Sequence, residues 1–246
     1  MSDPLAGPGW LLGAAAPSDF FRDRSDGGCI QENKLFCPDW AIDNIDRYTD
    51  PTLQHLVLVF SAVAAGFLIA FGLAVLAHRH RALSSPFLAA TGVLYTIPSI
   101  AFFFLLLPIT GRGALTAIIA LTAFTLQIIF RNITTGLRNV PPEVTEAARG
   151  VGLTPKQILW RVEIPLAMPE IIAGLRVATV STVALATLAV FANGGGLGAE
   201  IVSGSNITFK TGIIIAGSIA ILMAITFDAL LLLTGRLLAP WKRVEA

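Results

Sequence analysis

Two fully charged side chains, Arg176 and Asp228, fall inside apolar stretches of this 246-residue chain. An ionised group in a low-dielectric surround pairs or lines a polar cavity. The two are therefore candidates for an intramembrane ion pair, with a proton relay or a snorkelling arginine as the other uses of such residues. Few other clusters could do chemistry. Gly194-x-Gly196-x-x-Ala199 has the glycine spacing of a dinucleotide fingerprint, but no strand is expected before it, so it is not expected to hold a nucleotide. Gly194, Gly195 and Gly196 are candidates instead for a tight turn that forms part of a gate. No G-x-x-x-x-G-K-[ST] stretch occurs, so ATP phosphates have no cradle and no cofactor is expected in this chain. No His/Cys cluster has metal-ligand spacing and no nucleophile-elbow motif occurs, which leaves no candidate metal site and no candidate catalytic residue. Cys29 and Cys37, eight residues apart, are the two cysteines; a disulfide and two free thiols both remain open.

These residues sit on elements that the composition identifies. The chain is 54% hydrophobic and 13% charged with a mean hydropathy of +0.74, whereas a soluble domain carries about 25% charged residues. An all-α integral membrane protein is expected, in which residues 51–246 form the transmembrane domain. A net charge of +1 without a Lys/Arg-rich block excludes a nucleic-acid partner. Residues 1–50, with nine acidic and four basic side chains, read as an extracytoplasmic tail, either solvated or docked to a partner. Trp10–Ala16 is too short an apolar run for a cleaved signal peptide, so the tail is expected to be retained.

Five spans follow: Thr52–Ala77, Pro86–Pro108 broken by Pro98, Ala114–Phe130, one that begins after Ala167 and ends near Ala192, and Thr211–Thr234. A polar segment from Arg131 to Ala167 separates the third from the fourth. Arg79, Arg81, Arg131, Arg138, Arg149, Lys156, Arg161, Arg236, Lys242 and Arg243 all fall on one side of this arrangement. That side is expected to be the cytoplasm, with the N-terminus outside. Pro98 and Ser99 are pathway candidates, and a packing kink that never meets solute is the alternative. Gln127 and Phe102-Phe103-Phe104 attract the blander reading, lipid contact rather than a ligand cage.

The polar segment is organised. Pro141-Pro142-Glu143 suits the first turn of a helix, and Val144, Ala147, Ala148 and Val151 recur at i, i+3, i+4 and i+7 as one apolar stripe. That helix is expected to stop at Gly152. Thr154 as N-cap with Pro155 behind it predicts a second short helix, ending near Val162 and before Pro165.

Glu146-Ala147-Ala148, three residues, Gly152, nine residues, then Val162-Glu163-Ile164-Pro165 resembles the EAA loop of bacterial ABC importer permeases, with Val162 and Ile164 as conservative departures. The resemblance implies a type I importer-like fold and a coupling role for residues 140–165. It places Glu146, Ala147, Ala148, Gly152, Val162, Ile164 and Pro165 at the contact with a separate ABC ATPase subunit, which would bind the ATP and Mg. It further implies a second permease, self or paralogue, an extracytoplasmic solute-binding protein, and residence in a bacterial inner membrane.

Tyr95-Thr96-Ile97-Pro98-Ser99, Arg131-Asn132 and Gly194-Gly195-Gly196-Leu197-Gly198 resemble the osmoprotectant permeases, which import glycine betaine, choline and carnitine. Methionine- and sulfonate-type permeases share the loop and are the alternative. A self-sufficient secondary transporter would show an internal repeat, and none is found; a channel would have no need of a coupling loop. The tail with its cysteines is not part of the resemblance, and its role stays open.

Overall fold

The computed structural model describes residues 34–239. Among them there is no strand. The order is α1 (Pro38–Asp43), a 3-10 turn (Ile45–Tyr48), α2 (Thr49–Arg79), a 3-10 turn (Arg81–Leu83), α3 (Ser84–Thr96), α4 (Ser99–Thr110) and α5 (Ala114–Arg138). Then come α6 (Pro142–Gly150), α7 (Pro155–Ile158), a π-helical turn (Leu159–Glu163), α8 (Ile164–Ala186), a 3-10 turn (Thr187–Ala192), α9 (Leu197–Asn206) and α10 (Lys210–Leu238).

Four stretches are long and apolar enough to cross a membrane, Ile45–Arg79, Ala114–Arg138, Pro155–Ala192 and Lys210–Leu238. The pair α3 and α4 passes the same test only when taken together, as a broken span or a re-entrant loop, so the count is four, or five if the pair is one span. Pro98 causes the break: it has no N–H to continue the ladder, and its backbone is extended at φ −54° and ψ 129°. Its carbonyl then accepts from Phe102 N at 2.9 Å to restart the helix. The expected all-helical membrane fold is present.

Three boundaries differ from the sequence expectation. The third span runs on to Arg138, because nothing between Phe130 and Asn139 breaks a helix and a 25-residue helix, about 37 Å long, outruns a hydrocarbon core of about 30 Å. The second short helix does not stop before Pro165. The π turn lets Ile164 N reach back to Leu159 O, and the ladder passes the proline, whose missing N–H would otherwise interrupt it. A short helix, α9, also follows the glycine-rich loop, where the sequence had suggested only a connector.

The chain forms two compact units. The first comprises the chain up to Ala62 together with Ile97–Leu121 and Thr182–Ala224. Within it the segment before the first span packs on the start of α10. Trp40 meets Phe209 edge-on with ring centroids 4.6 Å apart, Cys37 N donates to Thr211 Oγ1 at 3.1 Å, and Tyr48 is buried against Gly212. Arg47 Nε donates to the buried Glu200 Oε2 at 2.9 Å, which supplies the opposite charge that a desolvated carboxylate requires. Cys37 is disulfide-bonded; Cys29, the other cysteine of the pairing considered above, lies outside the described residues.

The second unit comprises Val63–Thr96, Thr122–Ser181 and the chain from Ile225. Its core joins Ala70, Ala74 and Ala77 of α2 to Ile129, Phe130, Ile133 and Leu137 of α5 and to Leu159, Ile164, Ala167 and Ile171 around the start of α8. Gly66, Ala70 and Ala74 recur every fourth residue, a small-residue stripe that admits a neighbouring helix closely. The approach is close enough that a Cβ on Gly66 would lie 1.8 Å from Thr125 Oγ1. Van der Waals contact of this kind, rather than exclusion of water, holds helices together in lipid.

Candidate functional site

The polar segment between the third and fourth spans folds as two short helices meeting at a corner. Pro142 lies in the first turn of α6, where its missing N–H costs nothing, and Glu143 stands at the positive end of the dipole. At the other end Gly152 N donates to Arg149 O at 2.9 Å and Leu153 N to Ala148 O at 3.1 Å. This is the pair of bonds that closes a Schellman motif. Gly152 adopts φ +88° with open space where a Cβ would project, so glycine is required there by the backbone alone.

The apolar stripe of α6 divides between two environments. Ala148 is buried, while Val144, Ala147 and Val151 are exposed, Val151 at 79%. Glu146 is exposed beside them, and among the described residues no ion-pair partner is recorded for it. The exposed side thus joins small and apolar groups to the charges of Glu143, Glu146 and Arg149.

Beyond the corner Thr154 caps α7: its N–H donates to Gln157 Oε1 at 2.8 Å, and its hydroxyl accepts from Gln157 N at 3.4 Å. This capping box fixes the exit direction of the chain. Ile158, Leu159 and Ile164 are buried, and Val162 and Pro165 are half-buried. Of the residues expected at the coupling contact, Glu146, Ala147 and Gly152 are therefore outward, while Ala148 and Ile164 are inward anchors. His78 Nε2, at the end of α2, lies 3.0 Å from Glu163 Oε2 and ties that helix to the π turn. This contact was not anticipated, and since the two residues are 85 positions apart, no local pattern could have announced it.

Arg176 Nε donates to Asp228 Oδ1 at 2.8 Å and its Nη2 to Oδ2 at 2.7 Å, a two-bond fork between α8 and α10. Gly195 and Gly196 adopt φ +76° and +81°. Gly196 N donates to Gln54 Oε1 at 3.0 Å, and beside it the fully buried His55 places Nε2 3.1 Å from Val183 O. Gln54 and His55 were not among the candidates, although they stand side by side where the polar start of α2 gives way to its apolar run. Phe102 and Phe103 are buried and Phe104 is half-exposed, and Gln127 accepts from Thr91 Oγ1. Ser99 opens α4 directly after Pro98.

Membrane-crossing helices are thus joined to an exposed, corner-bent pair of short helices. Residues 62–244 match the family model for the binding-protein-dependent transport system inner membrane component, and the chain belongs to that family. It is a permease component of an ABC importer and is not itself the ATPase. Over 201 residues it is 40% identical to the osmoprotectant import permease protein OsmW of Salmonella typhimurium, with 78% of this chain and 92% of that protein covered. The glycine betaine/carnitine/choline transport system permease protein OpuCD of Bacillus subtilis is 37% identical over 77% of this chain and 83% of its own length. Among solved structures, the MetNI methionine ABC transporter in an inward-facing conformation matches with a TM-score of 0.67 at 23% identity, covering 76% of this chain and 93% of that one. An amino acid ABC transporter matches with a TM-score of 0.67 at 22% identity, over 79% and 95%. At those identities the two structures bear on the fold alone.

Proposed function

We propose that this permease imports a quaternary ammonium osmoprotectant of the glycine betaine, choline or carnitine kind, driven by ATP hydrolysis on a partner subunit. The observation that carries the coupling half is the division of α6: an outward face of Val144, Glu146, Ala147 and Val151, backed by inward anchors. Small side chains let a helix seat closely in a groove, and Glu146 offers a charge to a basic partner. ATP and Mg belong to that partner, and this chain contributes no cofactor site of its own.

The stroke has a physical route. Leu159 and Ile164 sit in the core with Ala74, Ala77, Ile133 and Leu137, and the contact from His78 to Glu163 adds a polar tie. A push on α6 is therefore delivered to α2, α5 and α8 rather than absorbed by a loose loop, as an alternation between two global states requires. The basic side chains around the segment support a cytoplasmic position for it, and the residues before α2 would then face outward, toward a solute-binding protein. A second permease, self or paralogue, would complete the pathway. The stretch of α10 richest in apolar residues is only 11% buried, so lipid or that second subunit must cover it.

The substrate half rests on relatives at 35–40% identity that are named for osmoprotectants. No aromatic cage suited to a quaternary ammonium group is legible in the spans, so selection is assigned to the binding protein. The test is reconstitution in proteoliposomes with the cognate ATPase and binding protein. ATP-dependent uptake of labelled glycine betaine or choline is expected; uptake independent of ATP would refute the coupling, and ATP-driven uptake of methionine alone would refute the substrate class.

A further inference from the structure

A cavity of about 630 Å³ opens beside the corner, enclosed by the end of α2, the start of α3, the end of α5 and α6. Its wall carries three guanidinium groups, Arg81, Arg138 and Arg149, and the hydroxyls of Ser84, Thr134 and Thr145. The carboxylate among its lining residues is Glu163, which is already engaged by His78 at 3.0 Å. Arg138 Nη2 donates to Ser84 Oγ at 2.6 Å, which aims one guanidinium across the wall. No ion-pair partner is recorded for Arg81 or Arg149 among the described residues. Three like charges around one hollow repel each other and call for an anion.

Besides α6, the elements that enclose the hollow are the ends of α2 and α5, both in membrane-crossing stretches, and the start of α3, so it stands where lipid headgroups lie. Leu88, one turn beyond Ser84 on α3, is 40% exposed, an apolar surface next to the charged one along the same helix. A second hollow of about 630 Å³ shares His78, Arg149 and Glu163 and adds Arg79 and Lys156, which extends the basic surface around α7. Forked guanidinium groups suit phosphate oxygens better than a point charge does.

We infer that the Arg81–Arg138–Arg149 cavity binds a phosphate-bearing anion, the headgroup of an anionic phospholipid, beside the segment through which the permease is driven. The inference does not depend on ATP coupling, and its test contains no ATPase.

The full-length chain, purified and delipidated in a neutral detergent, is titrated with phosphatidylglycerol, with phosphatidylcholine and with glycerol phosphate, and bound molecules are counted by native mass spectrometry. One phosphatidylglycerol per chain is expected, weakened by salt and favoured over phosphatidylcholine. The Arg81→Gln/Arg138→Gln variant should lose about twenty-five-fold in affinity, a factor of about five for each arginine, while Arg161→Gln, which does not line the cavity, should bind as before. Equal retention of phosphatidylcholine, or undiminished phosphatidylglycerol binding by the double variant, overturns the site. Glycerol phosphate binding as tightly as the lipid assigns the cavity to a soluble phosphate and overturns the lipid. Should the double variant fail to fold, the lipid selectivity and salt dependence of the unmodified chain decide the matter alone.

Discussion

Replacing Gly152 by alanine isolates the corner from every other property of the segment proposed to couple to the ATPase. At φ +88° the residue lies in the left-handed region, and nothing stands within 4 Å of an added Cβ, so alanine meets no steric obstacle and its cost is purely that of the backbone. For a residue with a side chain this is about 1–2 kcal/mol. Such a cost changes the weight of the bent corner against unbent alternatives by a factor of about 5–30. The two Schellman bonds, Gly152 N to Arg149 O and Leu153 N to Ala148 O, are lost together when the bend opens. Gly111 is a control for strain away from the segment, because it too has a positive φ, +76°, and open surroundings but turns the chain between α4 and α5. The assay is ATP-dependent uptake in proteoliposomes, normalised to protein inserted. Gly152→Ala should lower uptake several-fold with normal insertion, Gly152→Asn less so because asparagine tolerates positive φ, and Gly111→Ala should leave coupling unchanged. Full uptake by Gly152→Ala together with Gly152→Leu would show that the corner transmits nothing.

Other residues make equally definite claims. Asp228→Asn and Arg176→Gln should each lower the yield of folded permease in detergent, and the exchanged pair Arg176→Asp/Asp228→Arg should recover part of it; a benign Asp228→Asn combined with a damaging Arg176→Gln would deny the partnership. Gly66→Leu must displace Thr125 or separate two helices, an overpacking cost of about 1–3 kcal/mol, and should lower the melting temperature in detergent, whereas Gly72→Leu, in open space, should not. Leu159→Ala removes a buried anchor at about 2–5 kcal/mol and should raise hydrogen exchange across residues 142–163 while uncoupling ATP hydrolysis from uptake; Val151→Ala, on the exposed face, should leave exchange unaltered.

What was legible in the sequence follows from the range of the interactions involved. The membrane class and the spans are encoded by runs of apolar residues, and the corner is encoded by neighbours: Gly152, Thr154 and Gln157 act within two turns of each other, and Pro142 opens the helix that leads to them. The passage through Pro165 was missed because a π turn depends on how Leu159 and Ile164 are held in the core. The contact of His78 with Glu163, that of Arg47 with Glu200, and the bonds from Gln54 and His55 to partners 142 and 128 residues away depend on the tertiary fold. Arg176 and Asp228 were visible as candidates only because charge is so scarce in these helices that each instance demands a partner.

The division of α6 also limits what kind of device it can be. Val144 and Val151, the two larger apolar groups it offers, are worth at most about 1.5–3 kcal/mol each on complete burial, and Ala147 adds less. Such a face cannot grip a partner strongly enough to drag a bundle of helices by adhesion alone, because association itself costs at least about 4 kcal/mol. The buried side is a different matter: Leu159 and Ile164 are embedded in packing contributed by α2, α5 and α8, where displacement of any one group disturbs the rest. A small outward face on a firmly rooted corner is suited to being carried by a closing groove and to passing that movement inward. On the proposed coupling role, the outward face should tolerate conservative change, while the roots and the bend at Gly152 should set how much of a partner's movement reaches the membrane.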